Sequence, residues 1–308
     1  MDELVVLFGG GGFLGRYVAQ ELLRSGARVR IAERDPLDAF FLKPLAALGQ
    51  AQSVRADITK PDSVARAVVG ADAVINLVGV LKGKFQDLHV TGAANVAKAA
   101  TAAGVTRLVQ ISAIGADPVA ESAYARTKGE GEQAVRAAFP GASILRPSIL
   151  FGPEDDFVNK FAGLISRLPV LPVIRPQVRF QPAWVVDVAR AVAKVALTPA
   201  GAGKTFELGG PQALSMLDLH NWIADAIGHH PTFLQVPDVA AAAMARVGFL
   251  PGAPINWDQW LMLQHDNVVS KGPKTFADLG IEPAPLAAIA PKWLVRYRTH
   301  GRFSLNAA

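Results

Sequence analysis

The amino-acid sequence predicts an α/β fold, a doubly wound parallel sheet joined to a smaller, mostly helical C-terminal lobe. Three observations point to it. Short apolar, β-branched runs alternate with amphipathic helical stretches through the first half of the chain. A glycine cluster separates the first apolar run from the first helical stretch. Beyond about residue 150, prolines at 153, 169, 172, 176 and 182 cut the chain into loops and short pieces, and the alternation stops.

The strands are "LVVLF" at 4–8, "RVRIAE" at 28–33, "QSVRAD" at 52–57, "AVINLVG" at 73–79, "RLVQIS" at 107–112 and "SILRPS" at 143–148. Runs this short and this rich in Val, Ile and Leu suit parallel strands buried on both faces. Among the helices, "FLGRYVAQELLRSG" places Leu14, Val18 and Leu22 on one face and stops at Gly26, and "TGAANVAKAATAAG" stops at Gly104. Further on, "WVVDVARAVAKVAL" predicts a helix and "KTFELGG" a strand, so the chain is expected to return to the first sheet at about 183–210. The first domain is therefore residues 1–150 with that return, and the second lobe lies within 151–308.

Composition narrows the function classes. The chain has 308 residues, 51% of them hydrophobic and 19% charged, which is an ordinary globular balance. It has no cysteine, so disulfides, thiolate metal sites and cysteine nucleophiles are excluded. The net charge of +5 is spread without a recognition helix or an aromatic-basic alternation, which argues against a nucleic-acid partner. No stretch is long and apolar enough to predict a membrane span. Acid in Met1-Asp2-Glu3, where a secretion signal needs base, leads to the expectation of a cytoplasmic protein, with peripheral attachment to the inner membrane as the alternative. The tail holds Lys292, Arg296, Arg298 and Arg302 beside Trp293, Tyr297 and Phe303, and is expected to be a solvated end.

In "GGGGFLG", Gly9, Gly12 and Gly15 keep a three-residue spacing between a strand and a helix. One permits a tight turn, one lets backbone approach a pyrophosphate, and one lets the helix close on the sheet. They predict a dinucleotide site, the phosphates resting on the helix N-terminus. The end of the second strand chooses the cofactor. There Glu33 would accept from the adenosine ribose, whereas Arg34 would pair with a 2′-phosphate, so NADP(H) and NAD(H) both stay open. Asp57 and Ile58 would flank the adenine, and Leu77, Val78 and Gly79 in "NLVG" at 76–79 would run beneath the cofactor; both stretches equally fit strand ends with no ligand.

Tyr124 and Lys128 in "YARTK" lie one helical turn apart, shortly after Ser112 at a strand end. A free tyrosine titrates near ~10, and a neighbouring ammonium with the nicotinamide charge is expected to bring that down by roughly one to three units, which suits proton transfer. Ser112 would orient a carbonyl or alcohol, and Lys128 would hold the ribose.

These motifs, with "DITKPDSVARAVVGADAVINLVG", "VTGAANVAKAATAAGVTRLVQISAIGA" and "ILRPSILFGPED", resemble the extended and atypical short-chain dehydrogenase/reductase superfamily over about two thirds of the chain. "SAYARTKGEGEQAV", "RPSILFGPEDDFVNKFA", "FQPAWVVDVARAV", "FELGGP" and "DNVVS" resemble, within it, the family of Rossmann-type accessory subunits of respiratory complex I and their bacterial relatives. That resemblance implies a tightly held NADP(H) on Gly9, Gly12, Phe13, Leu14, Gly15 and Arg34. It places Tyr124 and Lys128 near the nicotinamide ribose and Pro147 in the loop after the sixth strand. It also implies complex I subunits as partners and a cofactor that serves structure ahead of chemistry. The rival reading within the superfamily is an NAD-dependent sugar-nucleotide epimerase or dehydratase, or a reductase, using the same Tyr-Lys pair.

Other candidates have plainer readings. His229-His230 reads as a solvent-exposed turn, since adjacent histidines rarely converge on one metal ion. Glu154, Asp155 and Asp156 read as an acidic surface loop, and the Trp257, Trp260, Leu261, Met262 and Leu263 cluster as core of the second lobe.

Overall fold

Four consecutive residues of the first strand, Val5 to Phe8, are fully buried, as a strand covered on both faces must be. The computed structural model describes residues 3–248, 255–299 and 301. Its chain divides into two units, one made of 1–147, 185–208 and 270–282, the other of 148–184, 209–269 and 283–308. The chain thus rejoins the first unit twice, and the second return, at 270–282, has no helix or strand pattern that would announce it.

In the first unit the elements run β1 (Leu4–Phe8), α1 (Phe13–Arg24), β2 (Arg28–Glu33), β3 (Ala51–Arg55), α2 (Pro61–Val68), β4 (Ala73–Asn76), α3 (Ala93–Ala102), β5 (Arg107–Ile111), α4 (Ala123–Ala138), β6 (Ser143–Pro147), α5 (Val185–Leu197) and β7 (Thr205–Leu208). The seven strands are all parallel, in the order β7-β6-β5-β4-β1-β2-β3. The chain winds outward from β1 through β2 and β3, then crosses back to β4 on the other side of β1. That reversal opens a crevice past Phe8 and Asn76, at the carboxyl ends of β1 and β4. α3 packs against α4 on one face of the sheet, and α1 against α5. Val6, Phe8, Val64, Val74, Val96, Val135 and Ile144 form the core beneath α2, α3 and α4.

The strands end about where their side-chain chemistry changes. Asn76, fully buried, turns its Oδ1 to accept the Val78 N–H at 3.2 Å and donates to Gln110 Oε1 at 2.9 Å, so β4 stops at 76 rather than 79. Two features have no counterpart in the sequence reading. Pro36–Leu45 is a 3₁₀ segment, with Asp35 accepting the Leu37 N–H, and a π-helical stretch, Gln86–Gly92, leads into α3.

The second unit builds its core from Phe151, Val158, Ile165, Leu219, Ile223, Ile227, Leu286 and Leu294. Short parallel strands Val170–Ile174 and Thr232–Val236 pair there. Trp260 is buried against Ile174, Ala241 and Ala245, whereas Trp257 and Met262 are exposed, so the tryptophan cluster is only partly core. Two readings change. Asp155 is buried, not on a surface loop: its carboxylate accepts the Gly152, Phe157 and Asn159 N–H groups and so caps the helix Val158–Ile165. The tail is anchored, not solvated. Leu294 lies in the core, Arg296 donates to Pro153 O and Asn159 Oδ1, and Arg298 donates to Ala226 O at the end of the helix Met216–Ile227, which has no cation of its own in its last turn. Arg302 and Phe303 lie outside the described residues. His230 approaches Asp225 at 3.6 Å and His229 faces Thr299, beside the left-handed Gly228 that ends the same helix.

Candidate nucleotide site and Tyr-Lys pair

β1 passes into the glycine turn without a break. Gly9 has φ +82°, which favours glycine, and its N–H still donates to Ala32 O. Gly12 donates to Gly9 O at 3.2 Å and then serves as N-cap of α1 with no side chain over the helix end. No acid stands in the first turn, so the positive end of the helix dipole is left for an anion. A Cβ at Gly15 would strike the Gly9 carbonyl oxygen and stand 2.6 Å from Gly10 Cα, so only glycine lets α1 close on the turn. These features fit a dinucleotide phosphate. Phe13 and Leu14 are half-buried at the same helix end.

Glu33 points back into the turn, where its Oε1 accepts the Gly11 N–H at 2.6 Å. Burial holds its carboxyl above the ordinary value, opposed by that hydrogen bond, with Asp38 adding to the rise. Arg34, the next residue, is exposed. Past β3, Asp57 is occupied locally: the Thr59 hydroxyl and N–H both donate to its Oδ1, and the hydroxyl bond leads in holding the carboxyl below its usual range. The Ile58 side chain belongs to the core, tight beneath Gly92. Leu77 and Val78 are half-buried, and a Cβ at Gly79 would stand 2.9 Å from Lys128 Nζ.

α4 begins at Ser122, whose Oγ accepts the Ala125 N–H, and carries Tyr124 and Lys128 on one face. Gly129 and Gly131 inside this helix cost about 1 kcal/mol each relative to alanine. Both are required by close approach, Gly129 to the Asp117–Pro118 backbone and Gly131 to the His89 carbonyl. Lys128 Nζ donates to Ile111 O at 3.4 Å, beside Ser112. Ser112 donates its N–H to Leu145 O, and its Oγ is buried with no hydrogen-bond partner among the described residues, as a hydroxyl kept for a ligand would be. Pro147 closes β6, paired with Leu208, instead of lying in the following loop: its missing N–H costs the ladder nothing that β7 needs, and its carbonyl accepts from Ile114.

Phe85 and His89, which sequence reasoning passed over, complete this end of the site. Phe85 stacks on His89 at 5.4 Å, and both rings stand edge-on to Tyr124, at 6.0 and 5.5 Å. His89 Nε2 accepts the Val80 N–H, which fixes the proton on Nδ1, and Nδ1 donates to Thr127 Oγ1. Burial, then Lys128, pulls His89 down to about 3. Burial also lowers Lys128 to about 8, against the pull of Glu132, and pushes Tyr124 up to about 12. The shift of Tyr124 is opposite to the sequence expectation. Lys128 Nζ stands 5.9 Å from the centre of the tyrosine ring, and Tyr124, with Phe85 and His89 packed edge-on to it, is half-buried. When bound, a nicotinamide dinucleotide supplies the hydride and, oxidised, a positive charge.

Comparison with known proteins agrees with this geometry. Residues 9–158 match a family described as NAD(P)H-binding. The chain is 34% identical to the Arabidopsis thaliana mitochondrial NADH dehydrogenase (ubiquinone) 1 alpha subcomplex subunit 9, over 97% of this chain and 79% of that one. It is 31% identical to a ceramide reductase of Caulobacter vibrioides, over 76% and 74%. The fold is that of an NADPH-dependent quinone oxidoreductase of Escherichia coli solved with NADPH, at TM-score 0.77 and 21% identity, covering 94% of this chain and 99% of that one. The chain therefore carries an NAD(P)H-binding domain and belongs to the family of the complex I alpha subcomplex subunit 9 proteins.

Proposed function

We propose that this chain binds NADP(H) in preference to NAD(H) and attaches to respiratory complex I as a peripheral subunit. The observation that carries the nucleotide choice is the hydrogen bond from the Gly11 N–H to Glu33. A carboxylate spent on the glycine turn is drawn away from the adenosine ribose, and exposed Arg34 is the group able to pair with a 2′-phosphate. The partner follows from the near full-length match to a protein named as an NADH dehydrogenase subunit. No described helix is long and apolar enough to cross a membrane, so attachment would be peripheral.

A second reading, carbonyl reduction, is favoured by the orphan Ser112 hydroxyl beside an intact Tyr-Lys pair. Ser112 Oγ would orient the carbonyl, Tyr124 would deliver its proton to the forming alkoxide, and Lys128 would stabilise the phenolate left behind. A relative named a ceramide reductase makes ceramide-type lipids the first substrates to try. Extraction in mild detergent, a native gel and mass spectrometry of both proteins and released nucleotide separate the readings. Co-migration with complex I subunits and recovery of NADP(H) uphold the proposal. A chain that runs alone and releases NAD(H) overturns it.

A further inference from the structure

Under α4, between it and the edge of the sheet, lies a set of buried charges that nucleotide binding does not use. Glu132, one turn beyond Lys128, is 7% exposed, and Glu207 on β7 is 3% exposed. Arg146 on β6 grips Glu132 with two parallel bonds, Nε to Oε1 at 2.8 Å and Nη2 to Oε2 at 2.7 Å, and reaches Glu207 with Nη1 at 3.4 Å. The other oxygen of Glu207 accepts both the N–H and the hydroxyl of Ser270, from the segment that rejoins this unit last. Two carboxylates and one guanidinium sum to one net negative charge, which is costly in a buried place unless a cation balances it. Lys128, 7% exposed and one turn away, is that cation.

We infer that Glu132, clamped by an Arg146 that Glu207 holds from the other side, is a positioning residue for the Tyr-Lys pair: its fixed carboxylate keeps Lys128 charged and the ammonium at the Gly79 turn. The two bonds to Arg146 matter because Glu132 makes no close ion pair with Lys128 among the described contacts, so it leaves all the ammonium hydrogens free for Ile111 O and for ligand hydroxyls. The groups facing Lys128 from each packed element are Tyr124 and Glu132 on its own helix, His89 from the π-helical stretch, Ser112 and the Ile111 carbonyl after β5, and Gly79, which brings no charge. His89 is neutral, so Glu132 is the sole anion acting on Lys128 within this group. Burial opposes the charge on Lys128, and Glu132 opposes burial.

The inference rests on Tyr124 and Lys128 being the nicotinamide-side pair, and the test separates the two. The Lys128 amine is titrated by NMR of ¹³Cε-labelled lysine in the ligand-free protein, assigned with Lys128→Met, for the unaltered chain, Glu132→Gln and Glu132→Asp. NADPH affinity is then followed over the same pH range. Glu132→Gln is expected to lower the Lys128 midpoint by about one pH unit and to move the alkaline loss of NADPH binding by the same amount, with Glu132→Asp restoring most of both. Should Glu132→Gln fold poorly, Glu132→Gln with Arg146→Met and Glu207→Gln removes the whole cluster and its one net negative charge, and carries the same expectation. An unmoved Lys128 midpoint in a folded variant overturns the positioning role. A shifted midpoint with no NADPH binding by any form leaves the role standing and overturns the nucleotide reading.

Discussion

At the Gly9–Gly15 turn the surface offered to a ligand is backbone, and it is shaped by side chains that are missing: Gly12 leaves the α1 terminus bare, and Gly15 lets the helix sit against the Gly9 carbonyl. At the Tyr124–Lys128 end the surface is side chain, held by partners from the π-helical stretch, from the loop after β4, and from β5, β6 and β7. The first end offers a dipole and N–H groups whose strength is nearly independent of pH. The second is a set of titrating groups pushed away from their ordinary values by burial. A rigid end and a tunable end within one crevice allow a nucleotide to be held tightly whether or not the chemistry at its nicotinamide is used.

The largest effect is expected where backbone must move. Gly15→Val puts carbon into the Gly9 carbonyl and the Gly10 backbone, which have no free path of retreat. NADPH affinity, by titration calorimetry, is expected to fall at least about a hundredfold, with roughly 2–3 kcal/mol lost in denaturant unfolding. Binding within threefold of the unaltered chain would mean that the turn does not cradle the phosphates. Next comes Arg34→Ala, expected to weaken NADPH about ten- to a hundredfold while NADH is held as before. Equal losses for both nucleotides would move the 2′-phosphate site elsewhere.

Gly79→Ala tests the tunable end with a smaller change. The added methyl meets the end of a flexible side chain, Lys128 Nζ, so unfolding stability should shift by less than about 1 kcal/mol. Affinity for NADPH should nevertheless drop about tenfold, because the ammonium is displaced from the Ile111 carbonyl and from the ribose position. A stability loss larger than the binding loss would assign Gly79 to packing alone.

The same division explains what could be read in advance. β1, the glycine turn and α1 are local: a strand, a three-residue glycine spacing and a helical stripe follow one another within about twenty residues, so their periodicity was enough. Tyr124 and Lys128 were equally local, one turn apart. Their environment was not. His89 finds Thr127 across 38 residues, Arg146 finds Glu207 across 61, and Glu207 finds Ser270 across 63, and no short-range pattern pairs such residues. In the sequence Glu33 and Arg34 stand as rivals for one ribose, because nothing there shows that the Glu33 carboxylate folds back onto Gly11. The direction of the Tyr124 shift is hidden for a related reason: proximity to an ammonium is legible in the sequence, and the desolvation of the phenol in the folded chain is not.

The mildest test at neutral pH concerns His89. The unfolded chain takes up a proton on this ring near ~6.5, and the folded protein refuses it until about 3. Stability from this group is therefore complete above the unfolded value and is lost as pH falls through the interval, by up to about 1.4 kcal/mol per pH unit. His89→Gln keeps an acceptor for the Val80 N–H and a donor for Thr127 but cannot take the proton. At pH 7.5 it is expected to cost no more than about 1 kcal/mol in urea unfolding, and at pH 5 that deficit should vanish or reverse. His220, also lowered by burial in the second unit, keeps its own share of the acid slope, so the variant flattens the slope without abolishing it. If the two proteins lose stability in parallel from pH 7.5 to 5, the acid sensitivity belongs to other groups and the tunable end of the crevice is more rigid than its charges suggest.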